Sequence, residues 1–186
     1  MPGARILEGE RLTFRTVEQE DTPFIQRTFT NPAIRYPTGN PVRSQEQIAG
    51  AEDDGSDQFL VCRDRADVGP AAPAEDDVRR IGWVGASDME YKRPEIGYWL
   101  IPAVHGEGYG KEAVSLLVDY VFREYNTPAV GAVAYDFNEA SRGLLTSLGF
   151  VEEGRRRKFM FVDGEHRDMI EYGLLREEWE TQKRET

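Results

Sequence analysis

The sequence predicts a globular domain that mixes helices and strands, of the α/β or α+β class. Three observations carry this. The 186 residues suffice for one sizeable core and are tight for two. Short apolar runs of strand character, such as Phe59-Leu60-Val61-Cys62 and Ala129 to Tyr135, recur along the chain. Between them lie segments whose apolar residues return at spacings of three and four, which puts them on one helical face. The order reads β, α, α, three β, then α, β, α, β, β. No repeat or linker interrupts it, so residues 1–186 are expected to form one domain.

Leu12 and Phe14 alternate as in a strand. The acidic stretch after Val17 opens a helix through Phe24, Ile25, Thr28 and Phe29, which Asn31-Pro32 stops. Pro37 to Pro41 reads as a loop, and Ser44 caps a short helix through Ile48. After the strand at Phe59–Cys62, Asp64 to Asp77 is rich in Ala, Pro, Gly and Asp and reads as an elaborated turn. Ile81 to Gly85 begins the next strand. A break at Lys92-Arg93-Pro94 precedes the strand Glu95 to Ile101, which Pro102 stops. From Gly110 onward a helix buries Ala113, Leu116, Leu117, Tyr120 and Val121. A shorter one turns Ala140, Leu144, Leu145 and Leu148 inward and ends at Gly149. Phe150 to Leu175 reads as two strands joined at Asp163-Gly164, a favourable hairpin pair.

Composition narrows the function. With 39% hydrophobic and 31% charged residues the chain is neither disordered nor membrane-spanning. No secretory leader is visible at Met1 to Glu10, and the one cysteine, Cys62, suits a reducing compartment, so a cytoplasmic location is expected. The net charge of −11 argues against a nucleic-acid partner and is compatible with a cationic substrate, or simply with an acidic solvated surface. His105, His166 and Cys62 make no metal-ligand cluster, so no metal is expected. Arg155-Arg156-Arg157-Lys158 reads as a solvated strand segment, or as a reach towards a phosphate or an acidic partner.

The most informative segment is His105-Gly106-Glu107-Gly108-Tyr109-Gly110-Lys111, between a strand and an amphipathic helix. Alternate glycines let the backbone approach a ligand, and a helix N-terminus with free N–H groups favours an anion such as a pyrophosphate. Lys111 adds a cation. A Walker A loop would need Gly and Ser or Thr where His105 and Glu112 stand. A Rossmann fingerprint would need Gly in place of Lys111, and an earlier βαβ unit. Both readings fail.

This segment resembles the signature of the GNAT acetyltransferase superfamily, with His105 in place of the usual Gln or Arg. Leu12-Thr13-Phe14-Arg15, Glu95-Ile96-Gly97-Tyr98-Trp99-Leu100, Asn138-x-x-Ser141 and Leu148-Gly149-Phe150 resemble its RimJ/RimL branch, so the likeness covers nearly the whole chain. The resemblance implies an α+β, GNAT-like acyl-CoA N-acyltransferase fold. In it a central, mixed but mostly antiparallel twisted sheet of about six to seven strands is flanked by about four helices. The family's fourth and fifth strands, here Glu95–Ile101 and Ala129–Tyr135, are splayed.

The resemblance further implies N-acetyl transfer from acetyl-CoA to a primary amine by direct attack in a ternary complex. The acceptor would be a protein N-terminal α-amine of ribosomal-protein type or a small-molecule amine, and there is room for a homodimer. Tyr98, Trp99 and Leu100 would pair with the pantetheine arm, and a backbone N–H there would stabilise the oxyanion. The turn from His105 through Gly106, Glu107, Gly108, Tyr109 and Gly110 to Lys111 would receive the pyrophosphate. Asn138 would bind the pantetheine amide or cap its helix. Ser141, rather than the Tyr many members place where Leu145 stands, would protonate the departing thiolate. Glu95 is the first choice of base, through water, against a solvated strand end. From another class, the alternative is a module that senses acetyl-CoA without turnover.

Overall fold

The computed structural model describes residues 3–50, 55–65, 74–89 and 93–185. Eight strands form one sheet: β1 (Arg5–Glu8), β2 (Thr13–Thr16), β3 (Asp57–Asp64), β4 (Val78–Ser87), β5 (Glu95–Leu100), β6 (Ala129–Tyr135), β7 (Val151–Val162) and β8 (Glu165–Leu175). Their spatial order is β1-β2-β3-β4-β5-β6-β8-β7. Every neighbouring pair is antiparallel except β5 and β6. Six α-helices accompany it: α1 (Thr22–Phe29), α2 (Pro32–Thr38), α3 (Gln45–Ala49), α4 (Tyr109–Glu124), α5 (Glu139–Ser147) and α6 (Arg176–Glu185).

The expected mixed sheet is present with one strand more than expected, because Arg5–Glu8 adds itself outside β2 with only Leu7 packed on the core. Among the described residues the α-helices number six rather than about four. Asn31 does end α1, but its side chain accepts from Ala33 N–H at 3.0 Å and so opens α2, with Pro32 at its first position. The expected loop at Pro37–Pro41 is therefore corrected. Pro37 and Thr38 are the last turn of α2, and Gly39 at φ 66° terminates it. Ser44 caps α3 in a reciprocal box with Gln47. Most of the elaborated turn, residues 66–73, lies outside the described residues, as does Lys92 of the break before β5.

Helix α4 is the central support. Ala113, Val114, Leu117, Val118 and Val121 are fully buried against β4 and β5, while Leu116 and Tyr120 are only partly covered. The buried stripe is broader than sequence spacing indicates, taking in Val114 and Val118, and the Trp179 indole of α6 donates to Asp119 at 2.8 Å. At the same C-terminal end, Tyr120 and Tyr125 both donate to Asp57 Oδ2, at 2.7 and 2.6 Å, which ties α4 to the start of β3. Ala140 is exposed rather than inward, and Leu145 and Leu148 carry the core side of α5.

The parallel pair controls the architecture. β5 and β6 are in register only at Glu95↔Gly131 and Ile96↔Ala132, and beyond Ile96 no further pairing joins them. The joined end is fastened by side chains. Arg93 lies across Gly131, where an added Cβ would stand 3.1 Å from its Nε, and its Nη1 meets Glu153 Oε2 at 2.6 Å. Glu153 lies in turn across Gly173, the register partner of Gly131. Two bare backbone positions thus let an ion pair reach from the start of β5 to β7.

Arg15 of the N-terminal motif is a structural residue. It is 1% exposed, its Nη2 sits 2.6 Å from Asp64 Oδ2, its Nη1 donates to Gly3 O, and Thr13 donates to Asp64 Oδ1. Asp64→Ala is expected to cost about 3–5 kcal/mol in urea unfolding, because it leaves a guanidinium buried without its counter-charge.

Candidate active site

The glycine turn is built from its outer side. Arg11 donates from Nη1 to Glu107 O at 3.0 Å and from Nε to Glu112 Oε2 at 2.9 Å, with its guanidinium 4.4 Å above the Tyr109 ring. Glu112 Oε1 accepts from the backbone N–H groups of Arg11 and Leu12, at 2.7 and 3.1 Å. Tyr109 is buried, with Arg63 also over its ring. On the inner side His105 Nε2–H donates to Leu100 O at 2.8 Å, tying the turn to the end of β5. This replacement for the family's usual Gln or Arg thus has a definite structural task. Arg11 and Glu112 were missed from sequence because they stand about a hundred residues apart.

Gly106 and Gly108 hold φ angles of 79° and 83°, which L side chains adopt at a cost of roughly 1–2 kcal/mol. A Cβ on Gly106 would meet nothing within 4 Å, so that edge of the turn is open. Gly110 differs: its Cβ would stand 2.8 Å from Leu144 Cδ1, so its bareness serves the packing of α4 on α5. The first helical bond of α4 runs from Glu112 N–H to Gly108 O at 3.2 Å. The N–H groups of Tyr109, Gly110 and Lys111 therefore have no intrahelical acceptor and face the turn with the positive end of a 16-residue helix.

A cleft of about 930 Å³ follows the gap between β5 and β6. Its walls include Glu95, Tyr98, Trp99, Leu100, His105, Gly106, Gly108, Gly110, Lys111, Asn138 and Ser141, so eleven of the thirteen site residues singled out from sequence converge on it, with Gly97 beside them. Glu107 and Tyr109 do not line it. The Glu107 carbonyl is occupied by Arg11, and the Tyr109 side chain belongs to the core.

Two further groups shape the cleft. On one face of the sheet the Trp83 indole lies flat across Gly85 and Gly97, where added Cβ atoms would stand 2.7 and 3.5 Å from its ring. Trp99 beside it packs on Phe24 and Phe29 of α1. Ala33, Ile34, Pro37 and Thr38 of α2 cover this chamber, and Gln58 and Ser87 edge it. On the opposite face the Tyr98 hydroxyl lies 2.7 Å from Ser141 Oγ, and burial pushes the phenol up to about 12. Asn138 uses its Oδ1 to cap α5, accepting from Ser141 N–H at 3.1 Å, and its Nδ2 donates to Pro37 O at 3.4 Å. Glu95 is exposed at the joined end of the gap.

An elongated diphosphate ligand fits these features. The volume lies within the range of small-molecule sites, the helix terminus offers unpaired donors to an anion, and Gly106 leaves room for close approach. Among the described residues no group of three or more His, Cys, Asp or Glu side chains could hold a metal ion. Cys62 is buried in the core, with its thiol pushed up to about 12 by burial, far from a reactive thiolate. Arg155 and Arg156 pair with Asp168 and Glu171 on the edge hairpin.

Known proteins agree with this arrangement. The Acetyltransferase (GNAT) domain profile matches residues 11–151, and the chain belongs to that family. It is 33% identical over 182 residues to the SPbeta prophage-derived uncharacterized N-acetyltransferase YokL of Bacillus subtilis (strain 168), covering 92% of this chain and 94% of that one. It is 38% identical over 96 residues to the putative ribosomal N-acetyltransferase YdaF of the same organism, a match that spans 52% of each protein. Its fold resembles the spermidine N-acetyltransferase from Vibrio cholerae in complex with CoA and spermine, with a TM-score of 0.76 at 22% identity over 91% of this chain and 98% of that one. The chain is thus an N-acetyltransferase whose cosubstrate is acetyl-CoA. No helix among the described residues is long and apolar enough to cross a membrane.

The Arg11 clamp makes a local prediction. Arg11→Ala should raise amide hydrogen exchange at His105 and Glu112, whose N–H groups bond Pro102 O and Gly108 O, by roughly tenfold, equivalent to about 1.4 kcal/mol of local opening, while exchange in β3 and β4 stays unchanged.

Proposed function

We propose that this enzyme acetylates a primary amine by direct attack within a ternary complex, the acceptor being a protein N-terminal α-amine or a small amine. The observation that carries this is the continuous cleft between the parted strands. It has the glycine turn and Ser141 on one side of the sheet, and a chamber floored by Trp83 and covered by α2 on the other. Acetyl-CoA supplies the thioester. The residues supply position: N–H groups at the start of α4, with Lys111 beside them, hold the pyrophosphate, and Tyr98 and Leu100 turn their backbone groups away from β4 towards the pantetheine arm.

Leu100 is partly engaged, since its carbonyl accepts from His105, and Trp99 turns its backbone groups to Trp83 of β4, so Tyr98 carries most of that pairing. Asn138 acts first as the cap that fixes the start of α5 and thereby sets the position of Ser141. Ser141 delivers a proton to the departing sulfur. A thiol of pKa about 8.5 leaves readily, so this contribution lies at or below the lower end of the ~10²–10⁴ typical of general acids. Glu95, at the joined end of the gap, draws the proton from the incoming amine through water.

The acceptor must arrive neutral. An α-amine with a pKa of about 7.7–8.0 needs only about 1 kcal/mol at pH 7, whereas a lysine near 10.4 needs roughly 4.6. Glu95 is the one carboxylate among the described residues lining the cleft, and it is exposed. A site with so little base strength favours the α-amine. The likeness to a putative ribosomal N-acetyltransferase over half the chain points the same way. The likeness to a spermidine enzyme, at 22% identity, supports the fold alone.

Mass spectrometry of cell extract incubated with enzyme and isotope-labelled acetyl-CoA decides the acceptor: label on peptide N-termini is the expected result, and label confined to metabolites would overturn the α-amine reading. Glu95→Gln should lower kcat/KM by roughly tenfold at pH 7 and by less at pH 9, where the amine is already neutral, as read by thiol release.

A further inference from the structure

Ser141 alone makes a poorly directed acid, because a first-turn serine can point its proton along several rotamers and to several acceptors. In this chain its oxygen meets the Tyr98 hydroxyl at 2.7 Å. Tyr98 stands on β5 with its side chain on the α5 face of the sheet, and both residues line the cleft. Their contact therefore bridges the parted strand to the helix start that Asn138 caps. A phenol–hydroxyl pair at this distance is a full hydrogen bond, and either oxygen can donate.

We propose that Tyr98 is a positioning residue for acetyl transfer: it donates to Ser141 Oγ, so that the one hydroxyl proton left on Ser141 is aimed into the cleft at the departing sulfur. This rests on the reading of Ser141 as the proton donor. Burial keeps the phenol protonated through the working pH range, with its pKa at about 12, so Tyr98 stays a donor rather than becoming a charged acceptor. Its oxygen in turn accepts from the cleft.

The step balances. The acceptor nitrogen forms a bond to the acetyl carbon, and the carbon–sulfur bond breaks with its electron pair going to sulfur. Sulfur takes the Ser141 proton, Ser141 takes the Tyr98 proton, and Tyr98 is restored by the proton that the nitrogen sheds on becoming an amide, carried by cleft water. One proton moves from nitrogen to sulfur, and neither hydroxyl ends charged.

Tyr98→Phe keeps the ring and removes only the hydroxyl. The expected result is a roughly tenfold fall in kcat, KM for acetyl-CoA within about twofold of wild type, and a double variant Tyr98→Phe/Ser141→Ala no slower than Ser141→Ala alone. A merely structural role would instead give losses that multiply in the double variant, and that outcome overturns the proposal, as does an unchanged kcat in Tyr98→Phe. Should Ser141→Ala itself leave kcat unchanged, the reading of Ser141 falls first and this inference with it. Isothermal titration with coenzyme A verifies that each variant is folded. If Tyr98→Phe fails to bind, a proton inventory of single-turnover transfer in mixed light and heavy water by the wild type serves in its place, with a bowed inventory from two hydroxyl protons moving together expected, and a linear, one-proton inventory contrary to the proposal.

Discussion

The parting of β5 from β6 after Ile96 is the constraint on which the rest depends. In a closed sheet, the backbone N–H and C=O groups that Tyr98 and Leu100 turn away from β4 would be consumed by a neighbouring strand. Here they border a cleft, and the molecule must hold the two strands apart without losing the sheet. It does so by fastening one end and propping the other. Arg93 and Glu153 fasten the joined end across two glycines. Tyr98 and Ser141, together with Asn138 and the last turn of α2, prop the open end.

The same gap joins two chemically different spaces. On the side of α4 and α5 it meets backbone donors at a helix start, suited to a phosphate. On the side of α1 and α2 it meets aromatic and small apolar groups, with few charges, suited to an acceptor that must shed a proton before reacting. Under the proposed function, reaction is expected where the spaces meet, at the level of Gly97, beside the Trp83 indole for which the bare Gly85 makes room. Binding of anion and acceptor from opposite faces of one sheet would be the physical basis for the ternary complex proposed above.

Particular residues show how far the fold was legible. Ala129–Tyr135 was readable to the residue because an apolar run bounded by turn signals has one fate in a buried sheet. The hairpin at Asp163-Gly164 was readable because two successive positive φ angles, 51° and 82°, demand those residue types. α6 was not, since its ten residues carry a single apolar anchor, Trp179, and so no periodicity. In α2 the cue was misleading: prolines at 32 and 37 read as breaks, while the first sits where a helix start tolerates it.

By itself the sequence determined the family, the glycine turn, the helix that follows it and the residues that would gather around a diphosphate. Those follow from local rules, in which spacing, φ preference and helix ends act within a few residues of one another. Tertiary structure alone decided which of those residues face the cleft. It turned Tyr109 into the core, made Gly110 a packing position, set Arg11 against Glu112 and brought Tyr98 to Ser141. Each of these joins residues far apart in the chain through hydrogen bonds and packing only a few ångströms long, which no sequence period encodes.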